Sequence, residues 1–253
     1  MKLVTFNIRC AWAADGINSF LHRAGAIAHK VNAEKPDVIC FQECTGSIYE
    51  MLKTVLSDYH IVFNQRNADL KGEGLATALR KDATELLGLE SFWLSPTPYL
   101  PGSRYKEQSS CPRICQCVTV RCEEKIFRVY NLHLDHESDL ARRLGMEATL
   151  RRVKEDLEKI PFPFFILGDF NATPESAPIT YCGDNPFISL AELTAPITHT
   201  FHNYGKIADS YKIDYIFSDV NTALLPHSIA PWADESDGIF LSDHYPLALT
   251  ITM

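Results

Sequence analysis

The 253-residue sequence has no apolar run near the roughly 20 residues that a membrane-spanning helix needs, and its apolar stretches are strand-sized. A membrane role is therefore not expected. Cysteine is too sparse for a disulfide scaffold: the eight residues (Cys10, Cys40, Cys44, Cys111, Cys115, Cys117, Cys122, Cys182) fall mostly in apolar sequence and read as reduced core hydrophobes. Four of them between 111 and 122 lack the paired C-x-x-C spacing and the histidine cluster of a zinc site. Positive charge is also in deficit, since 24 Lys and Arg against 32 Asp and Glu leave a net −8. That balance disfavours a broad basic face for long nucleic acid, because Lys and Arg contacts to phosphate dominate such binding. No internal repeat, low-complexity tract or composition shift marks a boundary, so a single domain over residues 1–253 is expected. The N-terminus runs straight into a strand-like pattern without an apolar leader, so no export signal and a cytoplasmic location are expected.

What is present is an ordinary globular composition, 46% apolar and 22% charged, in which strands and helices mix along the chain. Strand patterns cover Lys2 to Arg9, Val38 to Phe41, His60 to Asn64, Leu75 to Arg80, Ile114 to Arg121, Lys125 to Leu134, Phe164 to Leu167, Ile213 to Phe217 and Leu247 to Thr252. Helical spacing joins Phe20, Ala24, Ile27 and Val31, then Ile48, Leu52 and Val55, then Leu140, Leu144, Leu150, Val153 and Leu157. Strands this apolar must be covered on both faces, which predicts two packed sheets with helices outside them. Ser95 to Cys111, with three prolines and Gly102, reads as a long loop, and Asn221 to Phe240 as a second one. Both loops, and Trp232 in the latter, are candidates for shaping a binding pocket.

Polar clusters recur at the ends of these strands: Asn7, Glu43, the segment His133 to His136, Asp169 with Asn171, and Asp243 with His244. A sheet gathers its strand ends along one edge, where they can meet in one cleft. Carboxylates gathered with few cations repel one another unless a divalent ion offsets them. Oxygen ligands of this kind suit Mg²⁺, with Mn²⁺ as a substitute, and Mg²⁺ commonly completes its shell with substrate phosphate.

The segments that carry these clusters are Thr-Phe-Asn-Ile-Arg (5–9), Phe-Gln-Glu (41–43), Asn-Leu-His-Leu-Asp-His (131–136), Gly-Asp-Phe-Asn-Ala-Thr-Pro (168–174), Ile-Asp-Tyr-Ile-Phe (213–217) and Ser-Asp-His-Tyr-Pro-Leu (242–247). In this order the sequence resembles the endonuclease/exonuclease/phosphatase family, the deoxyribonuclease I-like superfamily, and within it a bacterial subgroup of small members. The resemblance implies an α/β four-layer sandwich, two mixed and mostly antiparallel sheets face to face with helices outside. It implies Mg²⁺ held by Glu43 with Asn7 and Asp243, Asp169 orienting or deprotonating water beside Asn171, and His244 on the scissile phosphate, steadied by Asp214. It also implies that His133 serves the leaving side and that Glu73 pairs with it, as in the deoxyribonuclease branch. Arg9 and Arg113 match positions of the bacterial subgroup; each is either a phosphate ligand or part of a surface salt bridge.

The expected activity is metal-dependent hydrolysis of a small or soluble phosphorylated substrate by a phosphatase or phosphodiesterase. A Mg²⁺-dependent nuclease and a non-catalytic binding module on the same fold are the alternatives, with a monomer as the default assembly. Each residue alone also has an ordinary reading, Asn7 as a turn cap or Asp243 as a turn acid. His133, Asp135 and His136 spell part of a two-zinc H-x-H-x-D-H signature, but Asn131 stands where its first histidine belongs.

Overall fold

A computed structural model of the chain describes residues 1–252. In chain order its main elements are β1 (Lys2–Asn7), α1 (Phe20–Glu34), β2 (Val38–Thr45), α2 (Gly46–Val55), β3 (Tyr59–Gln65), β4 (Glu73–Arg80), β5 (Thr84–Trp93), β6 (Ile114–Cys122), β7 (Lys125–His133), α3 (Asp139–Lys159), β8 (Phe164–Asp169), α4 (Ala177–Gly183), β9 (Leu190–Glu192), β10 (Asp214–Asp219), α5 (Val220–Ala223), β11 (His227–Pro231), β12 (Glu235–Ser236), β13 (Ile239–Phe240) and β14 (Leu247–Ile251). Two six-stranded sheets result, ordered β11-β14-β1-β2-β4-β3 and β5-β6-β7-β8-β10-β9. Each contains one parallel pair, β1 with β2 and β7 with β8, and is otherwise antiparallel.

Side-chain alternation sorts every strand between two apolar layers. In β1, Leu3 joins the core between the sheets while Val4 and Phe6 face α1 and α2. In β8, Phe165 and Leu167 face the other sheet while Phe164 and Ile166 pack beneath α3 and α4. The order helices, sheet, sheet, helices is the four-layer sandwich that the strand pattern predicts.

Toward the edge where β1, β2, β7 and β8 end, the layer between the sheets turns polar. Gln42 Nε2 donates to Asn131 Oδ1 across the gap at 2.8 Å, and Asn131 Nδ2 donates back to the Phe41 and Ala76 carbonyls at 3.3 and 3.2 Å. Beside them Thr77 donates to Gln116 Oε1 at 2.6 Å, and Gln116 Nε2 donates to Asn64 at 2.8 Å. Gln42, Thr77, Gln116 and Asn131 are all fully buried, so each unmade bond would carry its desolvation cost and the sheets have one favourable register here.

Several elements differ from the sequence reading. Strand β5 lies at a sheet edge and carries leucines at adjacent positions, Leu86 and Leu87, and again at Leu89, which hides its period, and α4 and β9 are too short to show one. Ser95 to Cys111 holds no helix or strand, as expected. Asn221 to Phe240 is not a loop, because β11 pairs with β14 and β12 with β13. Trp232 is buried in the core beneath α1, with Lys30 Nζ 5.4 Å from its ring, and is not among the residues that line the candidate active-site cleft.

Asn131→Ala should lower the unfolding free energy by about 1–3 kcal/mol, because it strands Gln42 in the core. The joint Gln42→Leu, Asn131→Leu change should cost less than the sum of its single changes in urea unfolding; strict additivity would show that the amide pair does not couple.

Candidate active site

The same alternation that builds the core delivers the polar residues. Counting on from Leu3, Asn7 ends β1 on the face between the sheets; counting from Val129 and Leu167, His133 and Asp169 end β7 and β8 on that face. Because β1 with β2 and β7 with β8 run parallel, these ends fall at one edge, and antiparallel β10 enters there with Asp214 opposite Asp169. His133 and Asp169 are direct register partners. Gly168 permits this: its φ is +147°, and a Cβ there would stand 1.9 Å from the Leu132 carbonyl oxygen, so only glycine fits.

Glu43 reaches the cleft by a different route. The β2–β4 register shifts between Phe41 and Cys44, and Glu43 sits in this bulge with φ +57°. Arg9 (φ +60°) and Asn171 (φ +48°) are also left-handed, a conformation costing non-glycine residues roughly 1–2 kcal/mol each. Such strain at neighbouring positions is typical of sites that aim side chains.

Asn7 is the hub. Its Oδ1 accepts from the Arg9 backbone N–H at 3.0 Å, which turns Nδ2 toward Glu43 Oε1 (3.1 Å) and Asp169 Oδ2 (2.9 Å). The Asn7 amide thus ties the two sheets and presents nitrogen, not oxygen, to both carboxylates. Glu43 Oε2 accepts from the Cys10 backbone N–H at 3.0 Å. Asp169 Oδ1 accepts from the Asn171 N–H at 2.8 Å, and Asn171 Nδ2 contacts His133 Nε2 at 3.0 Å and donates to the Leu134 carbonyl at 3.1 Å. His244 Nδ1 donates to Asp214 Oδ2 at 2.8 Å, while Nε2 lies 3.9 Å from Asp169 Oδ2 and the ring packs on Phe201 at 4.9 Å. Glu43, His133, Asp169, Asn171, Phe201 and His244 line a cleft of ≈ 320 Å³ together with Arg9, Arg66, Glu73, Arg113, Tyr211 and Asp243. A larger groove of ≈ 620 Å³ between α3 and the loop at Tyr99 and Tyr105 holds none of them.

The charges in the cleft are strongly coupled. Burial, reinforced by Asp214, pushes the Asp169 carboxyl up to about 7. Burial raises Asp243 and Glu73 as well, each helped by the charge of Glu43. Burial also works against an ionised Glu43, but Arg9, the Cys10 N–H, His244 and Asn7 outweigh it and hold that carboxyl below its ordinary value. For His244 burial opposes the charged ring, yet Asp214, Asp169 and Asp243 together lift it to about 10. Burial, with Arg113 and Arg66, keeps His133 neutral.

Among the described residues, ligand-capable atoms converge within 4.8 Å in two groups, Asp169 with Asp214 and His244, and Glu43 with Cys10 and Glu73. In the first group the hydrogen bond between His244 and Asp214 already occupies two of the three residues. Glu43 and Asp243 are hard oxygen donors on the cleft wall, and the upward shifts of Asp169, Asp243 and Glu73 mark a negative field that a cation would relieve, so the donor set fits a divalent ion.

An Endonuclease/Exonuclease/phosphatase family model matches residues 4–244. The chain belongs to that family. Endonucleases, exonucleases and phosphatases share the cleavage of a phosphate ester, so the family is one of phosphoesterases. No curated protein matches the chain. Among solved structures, the endonuclease/exonuclease/phosphatase from Bacteroides vulgatus is similar over 99% of this chain and 98% of its own, with 26% identity and a TM-score of 0.86. A functionally unknown conserved protein from Enterococcus faecalis V583 shares 27% identity over 100% of this chain and 99% of its own, with a TM-score of 0.86. A mannosyl-6-phosphatase from Bacteroides thetaiotaomicron VPI-5482 covers all of both chains (100% and 100%) at 22% identity and a TM-score of 0.84, a likeness of fold.

Within this endonuclease/exonuclease/phosphatase fold, Asn7, Glu43, His133, Asp169, Asn171, Asp214, Asp243 and His244 gather at one sheet edge. Glu73 does not pair with His133: its carboxylate meets Arg66 Nη2 at 2.8 Å. Arg113 is buried, not part of a surface salt bridge, and Arg9 lies between Asp15 and Asp243 at 3.2 and 3.5 Å. Asp135 takes no part in a zinc signature, because its oxygens accept from Ser109, Glu137 and Ser138 and hold the turn into α3. All eight cysteines are free. Arg66, Phe201 and Tyr211 line the cleft without having been singled out in the sequence; they lie between elements, where no periodicity marks them.

The pair of His244 and Asp214 gives the metal-free protein a pH signature. A histidine raised from its ordinary value of about 6.5 to about 10 on folding stabilises the fold fully below the lower value and loses that contribution as pH rises through the upper one. Thermal midpoints in chelator should therefore fall between pH 7 and pH 10, and Asp214→Asn should flatten the decline. A midpoint that rises over this range in the wild type would contradict the assignment.

Proposed function

We propose that the chain hydrolyses a phosphate ester of a small phosphorylated compound, using a divalent cation, Mg²⁺ or Mn²⁺. The observation that carries this reading is the setting of Asp169: one oxygen is fixed by the Asn171 N–H, the other by Asn7, and His133 Nε2 and His244 Nε2 flank it at 3.4 and 3.9 Å. A carboxylate held in this way, with an affinity for protons near neutrality, suits a group that takes a proton from water.

In this scheme Glu43 and Asp243 hold the cation, and Asn7 fixes the rotamers of both Glu43 and Asp169. When bound, the ion neutralises negative charge on the phosphoryl oxygens. Asp169 orients a water for in-line attack on phosphorus and accepts its proton, as the ester P–O bond breaks and the leaving oxygen takes a proton from solvent and departs as the alcohol. Asn171, whose Nδ2 is committed to His133 and Leu134, offers its Oδ1 to the same water. His244, charged and braced by Asp214, donates from Nε2 to a non-bridging oxygen. His133 is neutral and steadies the leaving side without supplying a proton from the nitrogen that faces Asn171. The net charge of −8 and the ≈ 320 Å³ cleft favour a small substrate over a polynucleotide.

Hydrolysis of phosphate esters should require Mg²⁺ or Mn²⁺ and stop in excess chelator. Asp169→Asn and His244→Ala should each lower kcat by on the order of 10³ or more while the far-ultraviolet circular dichroism stays native. Full turnover in chelator, or unchanged rates in both variants, would sink the mechanism.

A further inference from the structure

One charged group in the cleft has neither a part in the proposed reaction nor an ion-pair partner among the described residues. Arg113, in the segment leading into β6, is 4% exposed, and its backbone carbonyl accepts from the Leu94 N–H at 2.8 Å. Among the described residues the guanidinium has one partner, His136 Nδ1, 3.0 Å from Nη2, and Nε and Nη1 are buried with none. Arg66 Nε, on the same wall, is also buried and unpartnered, although Arg66 Nη2 meets Glu73. A buried guanidinium ordinarily has its N–H groups matched, as those of the fully buried Arg23 are by the Asn18, Ile8, Leu241 and Arg9 carbonyls, because an unmatched buried cation is strongly unfavourable. Burial and the neighbouring Arg66 both act against the charge of Arg113, which no accessible pH removes.

We infer that Arg113 binds a non-bridging oxygen of the substrate's phosphoryl group and so makes the site one for phosphate monoesters. The inference rests on the hydrolytic reading above and narrows its substrate class. Arg113 lines the same cleft as Asp169 and His133 and so borders the space in which the phosphoryl group would lie. A monoester dianion carries three non-bridging oxygens, enough for the cation, for His244 and for Arg113. A diester carries two and a single charge, and its second ester arm would lie against Arg113 and leave the guanidinium unmatched. The balanced reaction is monoester plus water giving alcohol plus inorganic phosphate: the water oxygen bonds to phosphorus and gives one proton to Asp169, the ester P–O bond breaks, and the leaving oxygen takes up one proton from solvent to become the alcohol.

The test compares 4-nitrophenyl phosphate with methyl 4-nitrophenyl phosphate in the Mg²⁺-loaded wild type, Arg113→Gln and Arg113→Lys. Calorimetric binding of inorganic phosphate and of dimethyl phosphate is measured beside the kinetics. The wild type should prefer the monoester, and Arg113→Gln should lower kcat/KM for it on the order of 100-fold more than for the diester, the usual loss for one charged donor. Arg113→Lys, which keeps the charge without the planar fork, should lose less and also serves if the glutamine variant does not fold. Phosphate binding should exceed dimethyl phosphate binding only when residue 113 is cationic. A wild-type preference for the diester, equal losses on both esters, or phosphate binding unchanged in Arg113→Gln would overturn the inference. If the wild type cleaves neither ester, the hydrolytic reading fails, while the two binding measurements still decide whether Arg113 recognises a dianion.

Discussion

Two sheets that share one apolar interior must end somewhere, and how they end at one edge governs everything else in this protein. Along most of their length the inner faces meet through Leu3, Val38, Val129, Phe165 and Leu167. Near the ends of β1, β2, β7 and β8 the same positions become amides and carboxylates, and the sheets are joined by hydrogen bonds that admit few alternatives. The Gln42 and Asn131 pair sets the register, and one step outward Asn7 bridges Glu43 of its own sheet to Asp169 of the other. The cleft is therefore a continuation of the packing that stabilises the fold, and rigidity at the site comes from the core beneath it.

That arrangement concentrates negative charge in a place with little water. Glu43, Glu73, Asp169, Asp214 and Asp243 are drawn together, and the protein answers with a charged His244, Arg9 and Arg66, each already engaged by carboxylates. The residual field shows in the raised carboxyls of Asp169, Asp243 and Glu73. A divalent cation and a phosphoryl anion entering together suit these groups: the cation relieves the carboxylates and the anion meets His244 and Arg113. The left-handed conformations of Arg9, Glu43 and Asn171 are the strain the fold carries to aim these side chains.

Much of this was legible in the sequence, because period-two alternation in apolar strands specifies both which face is buried and which end residue faces inward. The four layers and the inward-facing ends Asn7, His133 and Asp169 follow from it. Glu43, Asp243 and His244 showed as polar residues beside apolar runs and Asp214 only through the family resemblance, while the bulge that aims Glu43 has no signature in the residue pattern. The pairing of Glu73 was misread, because it depends on Arg66, which lies between β3 and β4 where no period applies. Residues 221 to 240 looked like a loop because β11, β12 and β13 are short and largely exposed, although Trp232 is buried and Ala223, Leu225 and Ile229 pack against the core. The isolation of Arg113 is a property of three-dimensional burial that no one-dimensional pattern carries.

The most direct measurement is the anomalous scattering of crystals soaked in Mn²⁺. The account predicts one strong peak at the carboxylate of Glu43, on the Asp243 side of the cleft, weakened or lost in Glu43→Gln. A peak bound instead by Asp169, Asp214 and His244, or no peak in a crystal that retains the wild-type fold, would contradict it.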